Sequence, residues 1–279
     1  MAIASRAEAQ TSLSGAHDAI SRRLVEARLS AQPLPNFPGR LPVTLEQAYA
    51  IQSASAERWP DEVAAWKVAR LTPTDRAHFS TERLAGPVFK SSIRTVEPGS
   101  CETMAVYEGG LAAIEAEFAL ELGAAVPPSD KDYSDEELAD LVAAAYCAAE
   151  IASSPLALLN DLGAMSVISD FGGNGGLVVG PKISGWRSLG PGSLSASVTV
   201  DGLTVGETTP EPIRQDALQA LRFLIGNCAS RGIELPEGLL VSTGALTGVH
   251  DVQVGSTARV DFGSIGSFEV KFEPVASRQ

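Results

Sequence analysis

At 279 residues, with 44% hydrophobic and 20% charged residues, the chain is long enough to bury a core of its own and has the composition of a globular protein. Its formal net charge of −13 argues against a nucleic-acid-binding surface, which needs clustered Lys and Arg, and against anionic membranes for the same reason. An acidic chain that binds a small anion must neutralise it locally, by a cation or by placed Lys and backbone N–H groups.

Residues 1–14 read as disordered, and "MAIASRAEAQTSLSG" lacks the apolar core of a secretory signal, so a cytoplasmic location is expected. A helix is predicted over about residues 17–29, with Ile20, Leu24 and Ala27 on one face. "AQPLPNFPGRLP" is a Pro-rich connector. Thr44 followed three residues later by Gln47 forms a capping box for a helix through "LEQAYAIQSASAER". "VAAWKVARL" reads as a short buried strand that carries Lys67 among apolar neighbours.

After Gly109-Gly110 comes "IEAEFALELG". Ser134 and Glu137 form a second capping box, for a helix expected to end near Ala145 and to be followed by a strand through "CAAEIAS". This apolar region, residues 138–159, is interrupted by Asp140 and Glu150 and is too broken to span a membrane. "DFGGNGG" is a tight turn feeding "LVVG"; it lacks the Lys of a P-loop and the helix of a dinucleotide fold. "SVTVDGLTVGE" is a hairpin, with Asp201-Gly202 suited to a type I′ turn.

"RQDALQALRFLIGNCASRG" is the clearest helix, with Leu218, Leu221, Ile225 and Cys228 as its stripe and Gly232 as its stop. Short strands follow in "GLLVSTGAL", "VHDVQV", "TARVDF" and "SFEVKF". Cys101, Cys147 and Cys228 are far apart, give neither a disulfide framework nor a zinc spacing, and are expected to be buried, reduced thiols. A helical N-terminal part (residues 1–75) followed by a strand-rich body (residues 76–279) makes the fold class α+β.

On a strand, Glu115, Glu117 and Glu121 share one face, while Ile114, Ala116, Phe118 and Leu120 take the other; a helix also fits the arithmetic, since Ile114, Phe118 and Leu122 are spaced i, i+4. An ordinary strand with one side in water has this pattern, and an E-x-E pair alone is weak evidence for a metal. Glu150, however, is stranded in "YCAAEIASS" with no other charge nearby, and Lys67 is equally alone. A lone charge in such a setting needs a partner, because burying it unpaired is expensive. None of the three His lies in a metal-ligand spacing. A metal here would be a hard cation held by oxygens, Mg²⁺ or Mn²⁺.

Taken in order, "PVTLEQAYAIQ", "WKVARLT", "IEAEFALELG", "AEIASS", "ISDFGGNGGLVVG", "VSTGALTG" and "VDFGSIGSFEVKF" make the chain similar to the 2-keto-4-pentenoate hydratase and 4-oxalocrotonate decarboxylase group of the fumarylacetoacetate hydrolase superfamily. The resemblance covers nearly the whole chain. It implies a mixed β-roll with an N-terminal helical part, assembled as dimers or higher oligomers, in some pathways beside a partner enzyme. The family's metal carboxylates fall on Glu115, Glu117 and Glu150. Its strand lysine, which acts in acid/base chemistry or holds the substrate, falls on Lys67, and the Asp that opens its Gly-rich turn falls on Asp170, so that Lys67 and Asp170 are the expected catalytic residues. Its substrate-carboxylate segment falls on Thr243, Gly244 and Thr247.

The activity implied is a metal-dependent hydratase that adds water to a 2-hydroxy-2,4-dienoate or 2-oxo-enoate through a metal-chelated enolate, with a 2-oxo acid decarboxylase, an acylpyruvate-type hydrolase or a non-catalytic partner subunit as alternatives. Plainer roles stand beside these: an ion-pair partner for Lys67, a turn cap for Asp170, strand-end hydrogen bonding for Thr243. Burial is expected to lower the Lys67 pKa. Two departures concern the far end of the substrate: Pro87-Val88-Phe89 where family hydratases often carry a carboxylate, and Ser154-Pro155 where many members have Ser-Arg.

Overall fold

A computed structural model of the chain describes residues 2–79, 81–190, 192–208 and 213–278. Helix α1 (Ala2–Ser30) is longer than expected and includes residues 2–14, whose Ala-rich composition favours helix without an apolar stripe. Ile20, Leu24 and Ala27 are buried as the periodicity predicts. Next come α2 (Leu45–Arg58), β1 (Val63–Arg70), α3 (Pro73–His78), β2 (Arg83–Phe89), β3 (Ile93–Thr95), β4 (Cys101–Val106) and β5 (Leu111–Leu122). At α2 the Thr44 hydroxyl accepts from the Gln47 N–H, while the Gln47 side chain takes the Val43 N–H, one residue before the cap.

The chain continues through α4 (Asp135–Asp140), β6 (Val142–Ser154), α5 (Ala164–Ser169), β7 (Asn174–Lys182), β8 (Ser197–Val200), β9 (Leu203–Glu207) and α6 (Ile213–Ser230). It ends with β10 (Leu240–Ala245), β11 (His250–Asp251), β12 (Thr257–Asp261) and β13 (Ser267–Pro274). The Ser134–Glu137 capping box forms in full. Its helix stops at Asp140, though, and Val142–Ala145 belong to β6, where they pair with β5 from Leu122 back to Leu120. Tertiary strand pairing overrides local helix pattern there. Asp201 and Gly202 both take positive φ (48° and 84°), the type I′ turn the hairpin sequence predicts.

Two mixed sheets carry the fold, which is α+β. The larger runs β2-β1-β10-β5-β6-β7-β3, with β11 added on β5, and the smaller runs β4-β13-β12-β8-β9. One face of β5 (Ile114, Ala116, Phe118, Leu120) enters the main core, with Phe268 and Val270 of β13 and Leu218 and Leu221 of α6. Truncating a fully buried Phe118 in such a core costs about 3–5 kcal/mol. The other face of β5 is also buried from Ala113 to Leu120, so it is not the wet side of a half-exposed strand. Strand β1 pairs parallel with β10 and antiparallel with β2, so it sits inside the large sheet rather than at its margin. Among the described residues, no helix is long and apolar enough to cross a membrane. Cys147 and Cys228 are buried, which pushes both thiols up to about 12, but Cys101 on β4 is exposed, contrary to expectation.

Candidate metal centre

The β5–β6 register sets Glu115 opposite Glu150, and the period of two puts Glu117 on the same face. One oxygen from each of Glu115, Glu117 and Glu150 lies within 4.8 Å of the others, the one such group of potential metal ligands among the described residues. All three are buried, at 5%, 1% and 0% exposure. Lys67 joins them from β1. Strands β10 and β5 lie between β1 and β6, so on a flat sheet the two backbones would stand about 14 Å apart. The Lys67 ammonium nevertheless reaches 3.1 Å from Glu150 Oε2. The face they share is therefore concave, and the curl of the sheet builds the site.

A bulge in β10 aims its groups at Glu117. Ser242 pairs with Ala119 but Ala245 pairs with Glu117, so β10 spends one more residue than β5 over this stretch. Gly244 accommodates the distortion at φ 116°, a conformation L side chains rarely adopt. Its N–H donates to Glu117 Oε2 (3.0 Å), and the Ser242 hydroxyl donates to the same oxygen. Across the site, Asn174 Nδ2 donates to Glu150 Oε1 (2.9 Å). Glu150 Oε2 is buried, and the group facing it is the Lys67 ammonium, its ion-pair partner at 3.1 Å.

Burial pushes the Glu115 carboxyl up to about 7, helped by the Glu150 charge and opposed by Lys67. Burial and the charges of Glu150 and Glu115 push Glu117 well above the usual carboxylate range, against the Ser242 hydrogen bond and the Lys67 charge. Lys67 departs from the sequence expectation. Burial alone would lower its pKa, but Glu150, Glu115 and Glu117 outweigh it and hold the ammonium at about 12. The apolar neighbours visible along the strand hide the carboxylates that the fold brings in.

One ammonium cannot balance three buried carboxylates. A hard divalent cation can, and an all-oxygen donor set is what Mg²⁺ or Mn²⁺ takes. One oxygen of each Glu lies within 4.8 Å of the others, close enough for a single ion to meet all three. The residues fit a divalent metal.

Lys67, Glu115, Thr243 and Gly244 lie on the wall of a cavity of about 460 Å³, whose lining also includes Leu84, Leu246 and Val249. The Thr243 hydroxyl donates to the Phe118 carbonyl. Thr247 is not on that wall; its hydroxyl faces His250 Nε2 at 3.2 Å. Asp170 is likewise off the wall. It is gripped by Arg28, with Nε to Oδ1 at 2.5 Å and Nη2 to Oδ2 at 3.0 Å, and accepts from the Ser154 hydroxyl at 2.5 Å. After Asp170 the chain passes through three left-handed residues, Phe171, Gly172 and Gly173. This turn packs so closely on β2 that a Cβ at Gly86 would lie 2.1 Å from the Phe171 carbonyl oxygen.

Arg28, Asn174 and Ser242 escaped the sequence reading. Arg28 is disguised as a basic residue in the last turn of a helix, where such residues are common. Asn174 in "GGNGG" looks like turn chemistry, and Ser242 like an ordinary strand residue. The sole signal was that Asn174 interrupts a run of glycines just where a strand begins.

No protein-family model matches the sequence, and no curated protein does. Solved structures do match the fold. The 4-oxalocrotonate decarboxylase from Pseudomonas putida G7, complexed with calcium and acetate, aligns with a TM-score of 0.73 at 18% identity, covering 92% of this chain and 96% of that one. The same enzyme complexed with magnesium and adipate aligns with a TM-score of 0.73 at 17% identity, over 92% and 97%. A fumarylpyruvate hydrolase from Pseudomonas aeruginosa, in complex with Mn²⁺ and pyruvate, aligns with a TM-score of 0.54 at 14% identity, over 76% and 89%. The chain therefore has the fold of these solved enzymes, the α+β fold expected from the sequence resemblance.

Proposed function

We propose that the protein is a divalent-metal-dependent lyase, a hydratase that adds water to a 2-hydroxy-2,4-dienoate or 2-oxo-enoate, as in the meta-cleavage catabolism of aromatics. The observation that carries this reading is the buried Glu115, Glu117 and Glu150 cluster paired with Lys67, of which Glu115 and Lys67 line a cavity of about 460 Å³. The three carboxylates would hold Mg²⁺ or Mn²⁺. When bound, the ion supplies a Lewis acid that stabilises negative charge on the C2 oxygen of a 2-oxo acid. The ions and the 2-oxo acid found with the fold neighbours support that choice of ligand.

The remaining roles belong to the chain. Lys67, held as an ammonium on the cavity wall, would donate a hydrogen bond to an oxyanion of the substrate. Thr243 and Gly244 line the same wall and bound the substrate on the β10 side. Leu84, Leu246 and Val249 give the same cavity apolar surface suited to the hydrocarbon part of such a substrate. Asp170, tied to Arg28, holds the turn that packs beside Lys67. Assembly into a homodimer or larger oligomer, and association with a partner enzyme of the same pathway, belong to this proposal, and light scattering of the purified protein tests the first.

A second reading, decarboxylation of a 2-oxo acid, is favoured by the fold likeness to a decarboxylase over 92% of this chain. A panel of 2-hydroxypenta-2,4-dienoate, a 4-oxalocrotonate and an acylpyruvate, with Mg²⁺ and with EDTA, separates the readings. Turnover of the dienoate only with metal supports the hydratase. Turnover of the oxalocrotonate with loss of CO₂ replaces it with the decarboxylase, and inertness toward all three sinks both.

A further inference from the structure

We propose that Asn174 is a positioning residue that decides which oxygen of Glu150 is offered to the metal, and that Arg28 on α1 holds Asn174 in place. The inference rests on the reading of Glu115, Glu117 and Glu150 as a metal centre. Asn174 heads β7, is 5% exposed, and directs its amide Nδ2 to Glu150 Oε1 (2.9 Å) and to the Gly176 carbonyl (3.3 Å). The Glu150 oxygens are therefore unequal: Oε1 is engaged by a neutral donor, while Oε2 faces the Lys67 ammonium. A carboxylate pinned in this way offers one oxygen rather than two.

The backbone around Asn174 needs outside support. In the β6–β7 ladder Ile151 pairs with Gly176 but Ala152 pairs with Asn174, so β7 carries an extra residue and the regular pairing breaks beside Glu150. Arg28 bridges this break. Its Nη1 donates to the Asn174 carbonyl (3.0 Å) and its Nη2 to the Ser153 carbonyl (3.2 Å), while Nε and Nη2 grip Asp170. The guanidinium lies over the rings of Tyr107 and Phe171, at 5.6 and 5.1 Å, which fixes its plane. One buried cation thus ties β6, β7 and the intervening turn together where the third carboxylate is presented.

The chemical consequence is ion selectivity. Mg²⁺ is small and octahedral and suits carboxylates that offer one oxygen each, whereas Ca²⁺ readily takes both oxygens of one carboxylate. Asn174→Ala frees Glu150 Oε1, and Asn174→Leu removes the same donor while filling its space. The test is calorimetric titration of the intact protein and both variants with Mg²⁺ alone and with Ca²⁺ alone, with the melting temperature in EDTA confirming the fold. Mg²⁺ affinity should fall about 10–100-fold, the range for loss of a group that orients a metal ligand. Ca²⁺ affinity should fall less, so the Mg²⁺/Ca²⁺ ratio drops. Affinities unchanged for both ions, or lowered equally for both, would overturn the proposal. Wild-type protein that binds neither ion would instead sink the metal-centre reading on which it rests.

Discussion

Glu115 and Glu150 stand directly opposite each other across the β5–β6 ladder, two buried carboxylates as nearest cross-strand partners. Like charges at such a pair weaken a sheet, and burial sharpens the conflict. The arrangement opposes folding unless a proton or a cation intervenes. Glu115→Gln should therefore stabilise the metal-free protein while removing a ligand, because the new amide can donate to Glu150. In EDTA the gain should be about 1–3 kcal/mol, or roughly 2–8 °C in Tm. Titration should show Mg²⁺ binding lost or weakened at least tenfold. Glu117→Gln should abolish Mg²⁺ binding in the same assay, since it removes the carboxylate that Ser242 and Gly244 orient. An Mg²⁺ affinity left intact in either variant would refute the ligand assignment.

The same carboxylates set a pH dependence. Glu115 is raised from 4.5 to about 7 in the folded, metal-free protein. Below about pH 4.5 it is protonated in both folded and unfolded chains, and its contribution to stability is complete. As pH rises through 7 the unfolded chain is already ionised while the folded site resists ionisation, so that contribution is lost. Glu117 shifts in the same direction. Lys67 does not interfere: its raised pKa of about 12 keeps its contribution constant until pH exceeds 10.5. The Tm of the protein in EDTA should fall between pH 5 and 8, once the slope of Glu115→Gln is subtracted. The upward shift in Tm given by saturating Mg²⁺ should grow over the same interval, because protons no longer compete for the carboxylates. A Mg²⁺ shift that shrinks with rising pH contradicts this account.

How far the sequence reveals the site depends on how local its determinants are. Glu115 and Glu117 announce themselves by a period of two within one strand, and Glu150 and Lys67 by isolation among apolar residues. These are properties of single segments. The Arg28–Asp170 pair spans 142 residues, and the Asn174–Glu150 contact depends on a break in strand register, so no local pattern marks either. The direction of the Lys67 shift failed for the same reason. Its strand shows alanine and valine, whereas its charge environment comes from β5 and β6. The early end of α4 has a different cause: Val142–Ala145 satisfy a helical pattern, but β5 offers them a full ladder of partners.

Lys67→Met separates the two roles open to this residue. Removing the ammonium leaves Glu150 without its ion-pair partner, so the metal-free protein should lose about 3–5 kcal/mol. Mg²⁺ should restore most of that loss, and its affinity should stay within about tenfold of wild type or rise, since a competing cation is gone. Turnover measured at saturating Mg²⁺ should fall by about 10²–10⁴-fold. Near-wild-type turnover would leave Lys67 as an ion-pair partner alone.

Gly86→Ala tests whether the close packing of the turn on β2 matters to the site. Gly86 pairs with Lys67 across the β1–β2 ladder, and its added Cβ would lie 2.1 Å from the Phe171 carbonyl oxygen, a backbone atom that cannot rotate away. The turn must then lift off β2. Gly172 lies at the edge of this contact, and a Cβ there would be 3.0 Å from Lys67 Cδ, so the turn forms one wall against the lysine chain. Lifting it frees the lysine to swing and disturbs the Phe89–Phe171 contact, whose ring centroids are 5.0 Å apart. The overpacking should cost about 1–3 kcal/mol by urea denaturation. Mg²⁺ affinity should change little, because Glu115, Glu117 and Glu150 stand on other strands, while turnover should drop through Lys67. Equal loss of both would mean that the turn supports the carboxylates rather than the lysine.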